Sequence, residues 1–163
     1  DLIVQKGTEL GVFEFIPTIT SRVDVKLKGE FKKLDRLNRI ALEACKQSKR
    51  SIIPKVKEVV DFDEAIDDLK DMDLFLVAYE NAENYGIRSL INQFEENNIK
   101  LEDIVDIGIL IGPEGGFEEE EIEQLREKGA KIITLGNRIL RTETAGFTLA
   151  ALLQYELGDL GGI

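Results

Sequence analysis

The 163-residue chain contains no histidine. That removes every mechanism built on an imidazole base and every metal site that depends on a histidine ligand. It holds one cysteine, Cys45, so no disulfide can form within it; a lone thiol is expected of a reducing cytoplasm. No apolar run approaches the roughly 20 residues a membrane helix needs. Two phosphate-binding signatures are missing as well. No glycine cluster is followed by Lys and Ser/Thr, as a P-loop requires, and no three-glycine spacing follows a first strand, as a dinucleotide fold requires. Membrane, metal and nucleotide-phosphate chemistry are therefore not what this sequence is built for.

Charge is present in abundance and unevenly. The net charge is −11, yet residues 22–57 carry 12 Lys/Arg against 4 Asp/Glu, a local +8, which leaves −19 for the rest. A basic block on an acidic body is a partner-facing asymmetry, although a solvated charged helix gives the same count. The length suits one domain, 1–163. The first residue is Asp1 rather than methionine, and the chain is expected to be cut from a longer protein.

Helix and strand patterns alternate. Residues 2–11 read as a short helix stopped by Gly11, and 12–18 as a strand with Pro17 at an edge. Residues 31–47 place Phe31, Leu34, Leu37, Ala41, Ala44 and Cys45 on one stripe, with Lys32, Arg36, Arg39 and Lys46 opposite. An acidic helix is predicted over 63–70, buried strands over 73–80, 103–112 and 131–136, and helices over 86–97, 118–129 and 142–157. Continuously apolar strands separated by helices predict an α/β fold with a mostly parallel sheet flanked by helices. In such sheets ligands bind beyond the carboxyl ends of the strands, which selects the loops 78–86, 112–117 and 136–142.

The first of these, Gly112-Pro113-Glu114-Gly115-Gly116, opens a helix on Glu118–Glu121. Those carboxylates complement the helix dipole and repel an anion, so the loop suits a neutral or cationic ligand, or is simply a tight turn. In the second, "LGNRILRTETAGF" (135–147), Arg138 and Arg141 bracket two apolar residues, and Thr142 or Thr144 is expected as the helix cap. The helix beyond is apolar nearly all round, as a subunit interface or a central helix would be.

Together "LIGPEGGFEEEEIEQL" and "LGNRILRTETAGFTLAAL" closely resemble the RsmE family of ribosomal RNA methyltransferases, of the SPOUT superfamily, which methylate N3 of a uridine in 16S rRNA. The stretches "VQKGTELGVFEFIPTITSR" and "EACKQSKRSIIPKV" resemble the family's other signatures. The resemblance implies a C-terminal trefoil knot, an exception to the general avoidance of knots, together with an S-adenosylmethionine (SAM) site and a homodimer. It also implies an N-terminal PUA-like barrel that this sequence does not include. The implied cofactor residues are Leu76, Ala78, Ile111, Gly112, Pro113, Glu114, Gly116, Leu135, Gly136, Ile139, Leu140, Thr144 and Ala145.

Methylating uracil N3 requires loss of its proton, so the site needs an acceptor and a cationic or amide stabiliser of the resulting anion. Arg141 is the expected stabiliser, and Glu143 either the acceptor or the group that orients Arg141. Lys32, Arg36, Arg39, Lys46 and Arg50 are expected to meet the phosphates of ribosomal RNA. Gln5, Lys6, Thr8 and Glu9 are expected to support the sheet or line the target pocket. The rivals are a methyltransferase of the same superfamily acting on another RNA position, and a non-catalytic RNA-binding or ribosome-assembly module.

Overall fold

The computed structural model describes residues 1–23 and 33–162. In chain order the elements are α1 (Leu2–Glu9), β1 (Glu14–Phe15), β2 (Thr18–Ile19), α2 (Leu34–Gln47), β3 (Lys55–Val56), β4 (Val60–Asp61), α3 (Phe62–Leu69) and β5 (Leu74–Ala78). There follow α4 (Ile87–Glu96), a 3-10 turn (Leu101–Asp103), β6 (Ile107–Ile111), α5 (Glu119–Glu127), β7 (Lys131–Ile133) and α6 (Thr142–Leu157). The sheet β6–β5–β7 is parallel throughout, with Leu76 opposite both Ile109 and Lys131. Two short parallel pairs, β1–β3 and β2–β4, complete the strands among the described residues.

Side chains alternate across a strand, so β5 feeds two cores. Phe75 and Val77 join Ile66 and Leu69 of α3 and Ile122 and Leu125 of α5 on one face. Leu74 and Leu76 join Ile87, Leu90 and Phe94 of α4 and Leu149 and Leu153 of α6 on the other. Helices on both faces explain why β5 is apolar at every position. A third cluster packs Val4 of α1 against Leu37 and Ala41 of α2 and Val56 of β3. Cys45 lies buried beside it, its Sγ 3.2 Å from the Arg50 carbonyl and 3.4 Å from that of Ile52.

The α/β class and the parallel sheet are as the sequence predicts; several boundaries are not. The strand expected over 12–18 is two two-residue strands, because Pro17 has no N–H for a ladder and only its carbonyl bonds, accepting from Val60 N. β6 begins at Ile107, not 103, because the Asp73 carboxylate takes the N–H groups of Val105 and Asp106 at 2.9 Å each. β7 ends at Ile133, where Thr134 turns its N–H to the Tyr85 carbonyl. The hydroxyl cap expected at Thr142 or Thr144 is absent: Arg141 occupies the cap position, and Thr142 lies one residue inside the helix. α2 begins at Leu34; Phe31 and Lys32 lie outside the described residues. Thr8 is fully buried and bonds the Val4 carbonyl, so it supports the fold, while Lys6 pairs with Glu9 at the surface.

Candidate active site

Because β5, β6 and β7 are parallel neighbours, their carboxyl ends deliver three loops to one edge of the sheet. A cleft of about 260 Å³ opens there. Its floor is Ala78 and Ile111, the last residues of β5 and β6.

The glycine loop forms one wall. Gly116 N–H donates to the Pro113 carbonyl at 2.8 Å, closing a tight turn, and Gly116 has φ +71°, a conformation that favours glycine. Gly112 lies against the buried Phe117, whose ring a Cβ would meet at 3.0 Å. At the acidic helix start behind this loop, Glu118 is ion-paired. Arg22 donates from Nε and Nη2 to the two carboxylate oxygens of Glu118 at 2.7 and 2.8 Å, and from Nη1 to the Gly115 carbonyl at 2.8 Å. Glu121, buried, accepts from Ser21 N and Glu118 N, at 2.9 Å each. The Arg22 guanidinium holds the Glu118 carboxyl below its ordinary range, and Glu118 in turn raises Arg22.

The opposite wall is residues 134–142. Gly136 has φ +113° and open space where a side chain would stand. Thr134 Oγ1 accepts from Gly136 N at 3.1 Å, and the Thr142 hydroxyl donates to the Gly112 carbonyl at 3.0 Å, which ties the two walls together. Among the described residues the Leu135 amide and carbonyl have no hydrogen-bond partner. Ile139 is 84% exposed at the rim. The mouth is electrically divided: Glu80 and Glu114 come from the β5 and β6 loops, Arg138 and Arg141 from the β7 loop, and none pairs with another charge among the described residues.

Of the residues the sequence nominates for a cofactor, Ala78, Ile111, Gly112, Pro113, Glu114, Gly116, Leu135, Gly136, Ile139, Leu140 and Ala145 line this cleft, with Arg141. Leu76 does not: it is fully buried, two residues before the end of β5, among α4 and α6 side chains. Thr144 and Glu143 lie in the first turn of α6, off the lining. Tyr79, Glu80, Phe117, Thr134, Arg138 and Thr142 line the cleft without having been nominated for the cofactor; their place in the segments after the three strands was the available signal. The Gly116 amide, being spent in the turn, is not free to meet a ligand.

The basic residues separate. Arg36, Arg39 and Lys46 share an exposed face of α2, where Arg36 reaches the Asp1 carboxylate and Lys46 pairs with Glu43 at 2.8 Å. Arg50 is committed to the fold: Nη1 donates to the Thr8 and Val12 carbonyls at 2.9 and 2.8 Å, fastening the turn after α1. Lys32 lies outside the described residues. Among the described residues no group of three or more Cys, Asp or Glu is placed to hold a metal, and no helix is long and apolar enough to cross a membrane.

A parallel sheet carrying a glycine-rich loop and an Arg-Thr-Glu-Thr helix start over one cleft defines a known class. Residues 1–154 match the RNA methyltransferase domain, and the chain belongs to that family. It is 39% identical over 162 residues to ribosomal RNA small subunit methyltransferase E of Bacillus subtilis (strain 168), covering 98% of this chain and 62% of that protein. To the protein of that name in Mesomycoplasma hyopneumoniae (strain 232) it is 36% identical over 151 residues, covering 91% of this chain and 61% of the relative. Among solved structures, ribosomal RNA small subunit methyltransferase E of Neisseria gonorrhoeae, bound to S-adenosyl methionine, superposes with a TM-score of 0.80 at 33% identity, covering 97% of this chain and 61% of that one. The chain thus spans about three-fifths of the length of these relatives.

Proposed function

We propose that this chain is the catalytic domain of a SAM-dependent methyltransferase that modifies N3 of a uridine in 16S ribosomal RNA. The observation that carries the proposal is the cleft, with its free Leu135 backbone and its divided mouth. An adenine edge needs an amide and a carbonyl in apolar surroundings, which Leu135, Leu140, Ala145 and Ile111 supply. A cation is served by Glu80 and Glu114, and the open space at Gly136 admits a ligand against the backbone. When bound, SAM supplies an electrophilic methyl group on a sulfonium.

Arg141 is assigned the stabilising role. Its guanidinium, at the rim and without an ion-pair partner among the described residues, is positioned for charge that develops on the uracil carbonyl oxygens as N3 loses its proton. Glu143, in the first turn of α6 just behind the rim, is assigned either of two roles in the substrate complex, acceptor of the N3 proton or orienter of Arg141. The exposed α2 face of Arg36, Arg39 and Lys46 is assigned to RNA phosphate. The threaded C-terminal knot belongs to the same proposal. So does a homodimer, supported by Leu152 and Tyr155 of α6 and Leu2 and Ile3 of α1, apolar residues left exposed on two helices that pack together.

The test is methyl transfer from labelled SAM to 16S rRNA of a strain lacking the gene, followed by nucleoside analysis. Label in N3-methyluridine is the expected result. Label in another nucleoside redirects the target, and a chain that binds no SAM in calorimetry is not an enzyme of this class.

A further inference from the structure

We propose that Arg22 is a positioning residue for the glycine loop of the cleft, acting from outside the cleft through the Gly115 carbonyl; the proposal rests on the cleft being the SAM site.

Arg22 does not line the cleft. It follows β2, more than 90 residues before the loop it touches, so nothing in local sequence ties the two together. Yet all three sides of its guanidinium are used, with Glu118 held at both oxygens and Gly115 at its carbonyl. The bidentate pair makes α5 the anchor, and the third hydrogen bond transmits that anchorage to the loop. Adjacent Ser21 adds a second tie to the same helix start through buried Glu121. The fit is close. A Cβ at Gly115 would meet Arg22 Cβ at 3.1 Å and its carbonyl oxygen at 3.4 Å. A Cβ at Gly116 would lie 3.0 Å from Glu80 Oε1 and 3.9 Å from Arg22 Nη1. The guanidinium therefore stands beside the acidic side of the cleft mouth as well as behind the loop.

Within the loop, only the Gly116-to-Pro113 hydrogen bond closes the turn. Arg22 supplies the outward restraint that fixes how Gly115 and Gly116 face the cleft. Lysine cannot replace it, because one ammonium cannot span two carboxylate oxygens and a carbonyl in a fixed plane.

Two readouts test this on the intact chain: hydrogen exchange of the 112–118 segment, and SAM affinity with the KM-to-kcat split. In Arg22→Ala, exchange of the segment is expected to quicken roughly tenfold and SAM to bind roughly tenfold more weakly, the scale of one charge-assisted hydrogen bond. kcat at saturating SAM should stay within about twofold, since Arg22 touches no reacting atom. Arg22→Lys should repair neither readout. Gly115→Ala, which crowds the same contact, should reproduce the loss and add little to Arg22→Ala. Unchanged exchange in Arg22→Ala overturns the proposal, as does full repair by Arg22→Lys, which would make the role one of charge alone. If Arg22→Ala does not fold, Arg22→Lys decides. If the unaltered chain binds no SAM, the cofactor assignment fails while exchange still judges the restraint.

Discussion

Arg141 stands at the last residue before α6, where the chain leaves the cleft rim and enters a helix that buries Ala145, Leu149, Ala150 and Leu153. Its backbone is held by the helix start, since Ala145 N donates to the Arg141 carbonyl at 2.8 Å, while its side chain is exposed. Arg141→Ala is therefore expected to cost little stability and to lower the rate of methyl transfer by about 100- to 1,000-fold, the usual loss when an oxyanion stabiliser is removed. Single-turnover assays with SAM affinity measured in parallel would check it; affinity within about threefold of the parent places the loss in the chemical step. Asp73 is expected to behave oppositely, through stability alone. The N–H groups of Asp106 and Val105 hold its carboxyl below the ordinary range. A depressed folded-state pKa stabilises the fold at any pH above the unfolded value and loses that contribution as pH falls through the folded one. Asp73→Asn should thus be less stable than the parent at pH 7 and pH 5, with the gap closing below about pH 4; urea titrations across that range give the answer.

Among the elements, α6 has two structural tasks: its buried face completes one core and its first turn forms a wall of the cleft. Leu149 is fully buried against the sheet. Leu149→Ala should lower unfolding free energy by roughly 2–5 kcal/mol, measured by denaturant titration, and blunt SAM binding by loosening that wall. The limits of α6 and the existence of the three central strands, though not their ends, were legible because a 3.6-residue period and short apolar runs are signals that survive without tertiary context. The division of the 12–18 strand into β1 and β2, and the strands β3 and β4, were not, since these short pairs depend on partners some 40 residues distant. That the glycine loop and the stretch leading into α6 would meet at one edge of the sheet was legible from their place after strands. The place of Arg50 in the fold was hidden for a like reason: three carbonyls at and just after the end of α1 accept from its guanidinium, and sequence spacing does not disclose them. Thr142 is a milder case. Its hydroxyl serves the Gly112 carbonyl across the cleft and not its own helix.

At the scale of the molecule, a net charge of −11 with a +8 block makes any RNA contact a matter of local geometry against an unfavourable overall field. Removing Arg39, exposed and without an ion-pair partner among the described residues, should weaken RNA binding across sequences. It should also reduce the slope of log affinity against log salt by about 1, one phosphate contact. Arg50→Ala should leave that slope alone and lower the melting temperature instead, because the turn after α1 loses its fastening. Filter binding over a salt series with melting curves on the same variants separates the two roles. The sheltered thiol of Cys45 offers a last practical return. A coloured disulfide reagent can reach that sulfur only in moments when the 50–52 segment lifts from α2, and no other sulfhydryl competes for the dye. The unmodified chain thus carries its own clock for the breathing of its amino-terminal third, one that can be read with and without RNA or SAM and needs no engineered label.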